Sequence, residues 1–396
     1  MVKFARRVCI ANAMTVITST EDLKHACEAW ASEPFITVDT EFKRETTYWA
    51  QLALIQVGGK DRHAAIDPLA KGLSLEPFYD LMRNEKVLKV FHAARQDIEI
   101  FVHEMGDVPH PLFDTQVAAM VCGFGESVGY ETLVNKLTGA RLDKVARFTD
   151  WTRRPLTQRQ IDYALGDVTH LRTVYQKFAD KLEKTGRAGW LDEEMAVLTD
   201  PETYRVQPED AWKRLKPRSR NRRFLAIVRE IAAWREEYAQ QHNQTRNRVI
   251  RDDALMEVAA NAPKDAESLA RIRGFADKIA RNEAGARLLA AIRKAEALPD
   301  SELPGAPPKG GRDGSGGPAS DALKLLLKIK SQEHDVAAKL IASSADIDRL
   351  AEGDDKDIPA LRGWRYDLFG RDAIAVRDGK IGFAVKDNRL LTIAVD

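Results

Sequence analysis

Short segments of strand type precede a long helical region in the first half of the chain, and this order constrains the fold more than any other feature. Apolar, strand-forming runs occur at residues 35–39, 51–57, 63–66 and 87–91. One helical segment, at 74–84, lies between the third run and the fourth. Apolar residues at helical spacing then occur at 95–104, 114–121, 130–137 and 156–182. This succession predicts an α/β domain that ends near residue 195.

The second half of the chain is predicted to be mainly helical. Residues 219–295 show helical periodicity throughout, after a segment without periodicity at 201–216 that we interpret as a linker. Ten of the twenty residues in 301–320 are Gly or Pro, which predicts a flexible tether. Beyond it we expect helices between 321 and 351, followed by three short strands with hairpin turns at 373–377, 381–386 and 390–395.

Length and composition exclude several classes of protein. With 396 residues, of which 44% are hydrophobic, the chain can form two or three domains with cores of their own. No apolar run approaches the roughly 20 residues of a membrane-spanning helix, so no membrane association is expected. The three cysteines are far apart and odd in number, which supports neither a disulfide framework nor a zinc site. These features predict a cytoplasmic protein.

The net charge of +1 conceals a segregation of charge along the chain. Residues 1–200 carry 25 Lys and Arg against 29 Asp and Glu, whereas residues 211–250 carry 11 against 3. The second range contains an acid-free basic stretch with seven members: Lys213, Arg214, Lys216, Arg218, Arg220, Arg222 and Arg223. This stretch is a candidate contact for a polyanion, because neutralised phosphates release counterions. From charge alone, a solvated linker and helix start is an equally good interpretation.

Asp39 and Glu41 are the first candidate site residues. Because side chains alternate along a strand, both carboxylates project from the same face. Carboxylates at this spacing repel each other unless a cation lies between them, and oxygen ligands select Mg²⁺ or Mn²⁺. Taken alone, the pattern is also compatible with a polar strand end that makes turn contacts.

Three further side chains could join these carboxylates, although each has an ordinary structural interpretation. Asp97 lies in the first turn of a predicted helix, where an acidic residue also stabilises the helix dipole. Tyr163 and Asp167 lie one turn apart on a helix whose start is fixed by a capping box of Thr157 and Gln160. A core tyrosine with an exposed aspartate would give the same spacing.

Together these residues resemble the three exonuclease motifs of the DEDD superfamily, and Tyr163 marks its DEDDy branch. The chain more closely resembles the bacterial ribonuclease D family in four segments: Phe35 to Glu41, Gln51 to Val57, Phe113 to Gln116 and Asp162 to Asp167. Four further segments resemble an HRDC domain: Arg223-Phe224-Leu225, Trp234-Arg235-Glu236, Asp252-Asp253-Ala254-Leu255 and Ile272-Arg273-Gly274-Phe275.

The resemblance implies an α/β fold, with a ribonuclease H-like exonuclease domain around a mixed sheet. All-α HRDC bundles and a small strand-containing C-terminal tail would follow. We therefore expect a DEDDy 3′–5′ exonuclease domain at 14–200 and an HRDC helical domain at 215–296. A Gly/Pro-rich flexible linker is expected at 297–320, and a second HRDC-like helical region with C-terminal hairpin strands at 321–396.

The resemblance also implies catalysis with two divalent metal ions, Mg²⁺ or Mn²⁺. Asp39 would bridge the two ions. Glu41 and Asp167 would complete the site of the first ion, and Asp97 would hold the second. Tyr163 would orient the attacking water, because a phenol with an intrinsic pKa of about 10 is a poor base at neutral pH.

The activity implied is that of a monomeric 3′–5′ exoribonuclease that releases nucleoside 5′-monophosphates. Its substrates would be structured RNAs with 3′ extensions, precursor tRNA among them. The basic stretch from Lys213 to Arg223 would hold the strand, and bases could stack on Tyr48 or Trp49 unless these two residues pack in the protein. Two alternatives stay open: a DNA-directed 3′–5′ exonuclease of repair or proofreading type, and a catalytically inactive RNA-binding module.

Overall fold

The computed structural model of the chain describes residues 15–142, 149–217, 219–305, 317–387 and 389–395. Within these ranges the chain forms two compact units. The sheet unit contains residues 15–41, 53–203 and 317–395, and the helical unit contains residues 42–52 and 204–305. Each unit therefore contains segments that are distant in sequence.

A six-stranded mixed sheet organises the sheet unit. Its strands are β1 (Thr15–Ile17), β2 (Phe35–Lys43), β3 (Gln51–Gly58), β4 (His63–Ile66), β5 (Leu88–Phe91) and β6 (Leu112–Asp114). Their order across the sheet is β1-β4-β3-β2-β5-β6. β4 is parallel to β1 and antiparallel to β3, while β5 is parallel to both β2 and β6. The mixed sheet of the predicted fold class is thus confirmed.

Seven helices accompany this sheet in the described residues up to 203. They are α1 (Thr20–Trp30), α2 (Glu76–Arg83), α3 (Arg95–Met105), α4 (Thr115–Val121), α5 (Tyr130–Thr138), α6 (Gln158–Thr185) and α7 (Asp192–Thr199). α6 begins with the predicted capping box, in which Thr157 accepts from the Gln160 N–H and Gln160 accepts from the Thr157 N–H. β1, α1 and β6 have no predicted counterpart, and the two strands are too short to show a periodic pattern.

The helical unit is a bundle around one apolar core. Its helices are α8 (Arg222–Gln241), α9 (Arg246–Val249), α10 (Asp252–Asn261), α11 (Ala266–Ala270), α12 (Asp277–Ala280) and α13 (Glu283–Ala297). The prediction of a linker at 201–216 is wrong, because 3-10 helices form at Pro201–Tyr204 and Pro208–Arg214. Ala211 and Leu215 are buried in the core of the bundle, so two apolar anchors suffice to order a segment that lacks periodicity.

The C-terminal part of the sheet unit is described from Gly317 onward. It contains α14 (Gly317–His334), α15 (Ala338–Ile341), α16 (Ser344–Glu352), α17 (Gly363–Arg365), a π-helical turn (Tyr366–Gly370), α18 (Arg371–Arg377), β7 (Ile381–Lys386) and β8 (Arg389–Ala394). β7 and β8 form the predicted antiparallel pair. The strand predicted at 373–377 is wrong, since these residues belong to α18 and bury Ala373.

The prediction of a tether at 297–320 needs correction at both ends. Residues 317–320 open α14, because Pro318 is compatible with the first turn of a helix. At the other end, Leu303 is buried against the core of the helical unit. The part of the predicted tether at 306–316 lies outside the described residues, as does the first residue of the predicted domain at 14–200.

The C-terminal part packs on the remainder of the sheet unit. The Ala337 N–H donates to the Met120 carbonyl at 2.9 Å. The indole rings of Trp190 and Trp364 stack with centroids 4.3 Å apart. Arg365 is buried and pairs with two carboxylates of α7.

In the described parts of the chain, no helix combines the length and apolarity that crossing a bilayer requires.

Candidate active site

Three carboxylates from two distant segments meet beside the sheet. Asp39 and Glu41 project from β2, and Asp167 comes from α6. One carboxylate oxygen of each residue lies within 4.8 Å of one oxygen of each of the others. Val38 and Thr40, the neighbours of Asp39, are buried, as the predicted alternation along β2 requires. We call these three residues the carboxylate cluster.

The course of α6 places both of its predicted site residues. The capping box fixes the first turn, and Ala164, Leu165 and Val168 are buried. Tyr163 and Asp167 are partly buried and line one pocket together with Asp39. The predicted spacing of one turn therefore presents the phenol and the carboxylate to the same cavity.

Asp97 is the fourth predicted carboxylate, and it lies next to the cluster rather than within it. Its side chain is 7% exposed and accepts a hydrogen bond from the Thr40 hydroxyl. α3 starts beside it because Asp114 accepts from the Ala93 and Ala94 N–H groups at 3.0 and 2.9 Å. Asp97 is close enough that its charge raises the pKa of Asp39.

The electrostatics of the site favour a bound cation. Burial and the charges of Asp167, Asp97 and Glu41 raise the pKa of Asp39 well above its usual value. Burial also raises the pKa of Asp97 to about 7, against the opposing effect of the Thr40 hydrogen bond. Carboxylates that repel one another in this way suit a hard divalent ion, since such ions take oxygen ligands and neutralise the excess charge. The donor set therefore fits the predicted Mg²⁺ or Mn²⁺.

The pocket beside the cluster has a volume of about 520 Å³, and Tyr130 and His92 are among its polar lining residues without a predicted role. The Tyr130 hydroxyl donates to the Gly166 carbonyl at 3.0 Å, which joins α5 to the turn of α6 that carries Asp167. Burial, followed by the charges of Asp167 and Asp39, raises the pKa of Tyr130 well above its usual value. It therefore acts as a neutral donor.

His92 is the second of these residues. The Thr115 hydroxyl donates to the Phe91 carbonyl at 2.9 Å, so its oxygen is free to accept from His92 Nδ1 at 3.0 Å. Burial lowers the pKa of His92, which favours the neutral ring. Its position next to the Asp97 segment is the only sequence signal that could have identified it.

Some residues of the predicted basic stretch pair within the protein, and others are exposed. Lys213 pairs with Asp210 at 2.6 Å. Arg222 donates to the carbonyls of Asp300, Leu303 and Pro304, while Arg223 donates to carbonyls after α13 and pairs with Asp300. Three members are exposed: Arg214, Lys216 and Arg220. Arg218 lies outside the described residues.

Tyr48 does not provide the predicted stacking surface. It is 8% exposed and belongs to the apolar core of the helical unit, and partly buried Trp49 packs against the same core. A ring held in this way has no free face for a base. The alternative interpretation, that these two aromatic residues pack within the protein, is the one that the structure supports.

Comparison with known proteins gives two matches to domain families. Residues 14–183 match a 3′–5′ exonuclease family, and residues 224–292 match the HRDC domain. The first match contains all five of the predicted DEDDy residues, and the second begins within α8 and ends within α13.

Whole-chain relatives extend these matches. A ribonuclease D of Granulibacter bethesdensis is 53% identical over 380 residues, which cover 96% of both chains. A ribonuclease D of Jannaschia is 50% identical over 385 residues, covering 96% of this chain and 99% of the relative. The crystal structure of Escherichia coli RNase D, described as an exoribonuclease involved in structured RNA processing, superposes with a TM-score of 0.77. It is 31% identical, and the match covers 92% of this chain and 99% of that one.

Proposed function

Since the chain belongs to the ribonuclease D family and is a 3′–5′ exoribonuclease, we propose that the carboxylate cluster and Asp97 are its catalytic centre. One observation carries the proposal: oxygens of Asp39, Glu41 and Asp167, from residues more than a hundred positions apart, lie within 4.8 Å of one another. A pocket that also contains Tyr163 adjoins them. A concentration of partly buried negative charge beside a pocket is typical of a functional site.

The four carboxylates would hold two divalent ions, Mg²⁺ or Mn²⁺. When bound, such ions supply stabilisation of the attacking and leaving oxygens of a phosphodiester. Asp39 is central because the charges of the other three carboxylates all raise its pKa. Thr40 restrains Asp97 through its hydroxyl, which limits the orientations that the Asp97 carboxylate can adopt.

Tyr163 would hold the attacking water by its hydroxyl, one helical turn from Asp167. A hydrogen bond of this kind orients the water without requiring the phenol to lose its proton. The neutral Tyr130 joins α5 to the same turn of α6 and would help to keep both groups in place. Each cycle would then release a nucleoside 5′-monophosphate from the RNA 3′ end.

We further propose structured RNAs with 3′ extensions, precursor tRNA among them, as the substrates. The printed description of the Escherichia coli neighbour as an enzyme of structured RNA processing supports this substrate class. Exposed Arg214, Lys216 and Arg220 of the helical unit would contact the phosphate backbone.

Cys27 and Cys122 are free thiols, which suits the reducing cytoplasm that we propose for a monomeric enzyme.

A time course on a 3′-extended precursor tRNA tests the proposed site. The wild-type enzyme should shorten the extension with Mg²⁺ or Mn²⁺ and stop in EDTA, whereas Asp39→Asn and Asp167→Asn should lower the rate by at least about a hundredfold. Asp162→Asn is the matched control, because Asp162 is an exposed carboxylate of α6 outside the cluster. Unchanged trimming by the first two variants would refute the site assignment.

The same assay with a DNA strand of matched sequence tests the substrate class. An RNA-directed enzyme should release monophosphates faster from the RNA strand. Equal or faster digestion of the DNA would instead favour the alternative of a DNA-directed exonuclease.

A further inference from the structure

The residues just before α6 form a segment without regular secondary structure that nevertheless reaches the interior of the sheet unit. We call residues 149–155 the pre-α6 segment. Trp151, in this segment, is 4% exposed. Its ring belongs to a small apolar cluster, the Trp151 cluster, with residues of β3, β4 and α6: Ala53, Leu54, Ala65, Ala164 and Leu165. The segment therefore contributes a large buried ring that joins the sheet to α6.

The Trp151 ring packs beside the phenol that we propose orients the attacking water. The ring centroids of Trp151 and Tyr163 are 6.0 Å apart, and the ring planes are inclined by 36°. Tyr163 packs against the Trp151 cluster and also lines the pocket that Asp39 and Asp167 share. Aromatic pairs at this separation prefer a limited set of orientations. The contact therefore restricts where the Tyr163 ring can lie.

Arg154 holds the backbone of Trp151 against the sheet. Its Nη1 donates to the Trp151 carbonyl at 2.7 Å, and its Nη2 donates to the Ala53 carbonyl of β3 at 2.6 Å. Arg154 Nε and Nη2 also donate to the two carboxylate oxygens of Asp67, at 2.7 and 2.6 Å. Asp67 is buried, and a paired arginine and carboxylate of this kind fixes direction as well as distance. One guanidinium thus joins the pre-α6 segment to β3 and to the residue after β4.

A second contact ties the start of the pre-α6 segment to α6. Gln160 Nε2 donates to the Thr149 hydroxyl at 3.1 Å, while Gln160 Oε1 accepts from the Thr157 N–H in the capping box. Gln160 lies three residues before Tyr163, in the first turn of α6. The segment is therefore held on α6 by Thr149 and on the sheet by Arg154.

The polar atom of the Trp151 ring takes no part in these contacts. Its indole N–H is buried and has no hydrogen-bond acceptor among the described residues, which is unfavourable in itself. The ring is therefore held by its apolar surface and by its backbone. Trp151 does not line the pocket, and of the described residues in and around the Trp151 cluster only Tyr163 does. An effect of Trp151 on the reaction would consequently be exerted through Tyr163.

We propose that Trp151 is a positioning residue for the hydroxyl of Tyr163, and that Arg154 keeps Trp151 in place. The inference rests on the proposed role of Tyr163 in orienting the attacking water. A ring packed beside the phenol limits the positions that the hydroxyl can adopt. Displacement of that hydroxyl by about 1 Å would slow the reaction markedly, because the water that it orients would be displaced with it.

The first test is a double-mutant cycle, measured by trimming of a 3′-extended RNA at saturating Mn²⁺. Trp151→Leu keeps an apolar side chain and removes the flat ring beside Tyr163. We expect it to lower kcat about tenfold and to leave KM for RNA within about twofold. In a Tyr163→Phe background it should lower kcat less than about threefold, because no hydroxyl is left to misplace. A larger factor in that background would overturn the inference.

Two further variants separate positioning from loss of stability. Arg154→Lys keeps the charge but cannot reproduce the bonds of the guanidinium. It should lower kcat in the same way, and again only where Tyr163 is present, even if Trp151→Leu folds poorly. Trp30→Phe is the control, because it removes another buried indole hydrogen bond, to the Arg62 carbonyl at 3.0 Å, outside the Trp151 cluster. Its kcat should stay within about twofold of the wild type.

The affinity for Mn²⁺ without RNA shows whether the carboxylates are disturbed. It is measured on the full chain from the electron paramagnetic resonance signal of free Mn²⁺. Trp151→Leu should bind Mn²⁺ within about twofold of the wild type, since none of the proposed metal ligands belongs to the Trp151 cluster. Weaker Mn²⁺ binding in proportion to the loss of kcat would show that the substitution acts on the metal site, and would overturn the inference.

Tyr163→Phe alone distinguishes two kinds of failure. If Tyr163→Phe trims RNA at the wild-type rate, the proposed role of Tyr163 is wrong. If Tyr163→Phe is slow but Trp151→Leu and Arg154→Lys keep the kcat of Trp30→Phe, the role of Tyr163 stands and the positioning inference is overturned.

Discussion

At the scale of single residues, the proposed chemistry depends on a phenol beside a group of carboxylates. Tyr163 and Asp167 project from α6 into the pocket that Asp39 also lines. The carboxylates would hold the ions, whereas the phenol can only orient a water. Substitutions of the carboxylates and of the phenol should therefore affect trimming through different steps as well as by different amounts.

Tyr163→Phe should lower kcat about a hundredfold and leave KM for RNA within about twofold, because an oriented water matters in the transition state rather than in binding. Single-turnover and steady-state trimming rates measure both constants. Tyr175→Phe is a suitable control, since Tyr175 lies on the same helix but packs against Phe35 and Phe113. A KM effect without a kcat effect would show that Tyr163 binds RNA instead.

Asp97 makes the metal-free protein sensitive to pH. Burial raises its pKa from 3.8 to about 7, so the folded state holds a proton that the unfolded state releases. The contribution of Asp97 to stability is therefore favourable below pH 4 and is lost as the pH rises through 7. In EDTA, Asp97→Asn should accordingly gain a few degrees in Tm over the wild type at pH 8 and less at pH 5. Equal differences at the two pH values would contradict the raised pKa.

At the scale of elements, local sequence signals explain where the site-bearing elements begin. The alternation along β2 places Asp39 and Glu41 on one face, and Thr157 with Gln160 fixes the start of α6. Local signals could not show that α6 returns to β2, because no pattern within a strand or a helix encodes a contact between residues 39 and 167. The family resemblance was needed to join the two segments.

Thr157→Ala tests the importance of the helix start. Loss of a cap costs about 1 kcal/mol, which corresponds to roughly 2 °C in Tm for a unit of this size. Thermal unfolding should show this shift, whereas Thr185→Ala at the far end of α6 should have a smaller effect, because its hydroxyl only bonds back to the Lys181 and Leu182 carbonyls. An unchanged Tm for Thr157→Ala would indicate that packing alone sets the start of α6.

Two of the segments predicted wrongly lack a periodic signal. The segment at 201–216 is anchored by Ala211 and Leu215, and the Gly/Pro-rich stretch turns into α14 at Gly317. In both cases tertiary contacts or a permissive first helical turn decide the structure, and composition does not reveal them. Tyr48 is a similar case, because its partners Glu236 and Arg246 are almost two hundred residues away.

At the scale of the whole molecule, the carboxylate cluster and the exposed residues of the basic stretch belong to different units. The carboxylate cluster lies in the sheet unit, whereas exposed Arg214, Lys216 and Arg220 belong to the helical unit. This separation agrees with the segregation of charge along the sequence. Under the proposed function, the exposed basic residues of one unit would attract RNA and the carboxylates of the other would cut it.

Replacing Arg214, Lys216 and Arg220 together by Ala should weaken RNA binding and reduce the slope of log Kd against log salt concentration by about 2, as expected for three lost phosphate contacts on a single strand. Fluorescence anisotropy across a salt series measures this slope. Replacing Arg271, Lys278 and Arg281 by Ala removes the same charge from the helical unit at other exposed positions. Equal slopes for the two triple variants would show that net charge alone governs binding.

We propose that Asp39, Glu41, Asp97 and Asp167 hold two divalent ions. Anomalous diffraction from crystals of the full chain soaked in Mn²⁺ tests it most directly, because the anomalous signal locates each ion independently of activity. We predict two Mn²⁺ peaks, one among Asp39, Glu41 and Asp167 and the other between Asp39 and Asp97. Crystals that hold Mn²⁺ only at other positions, or none at all at saturating concentration, would contradict binding of two ions by these four carboxylates.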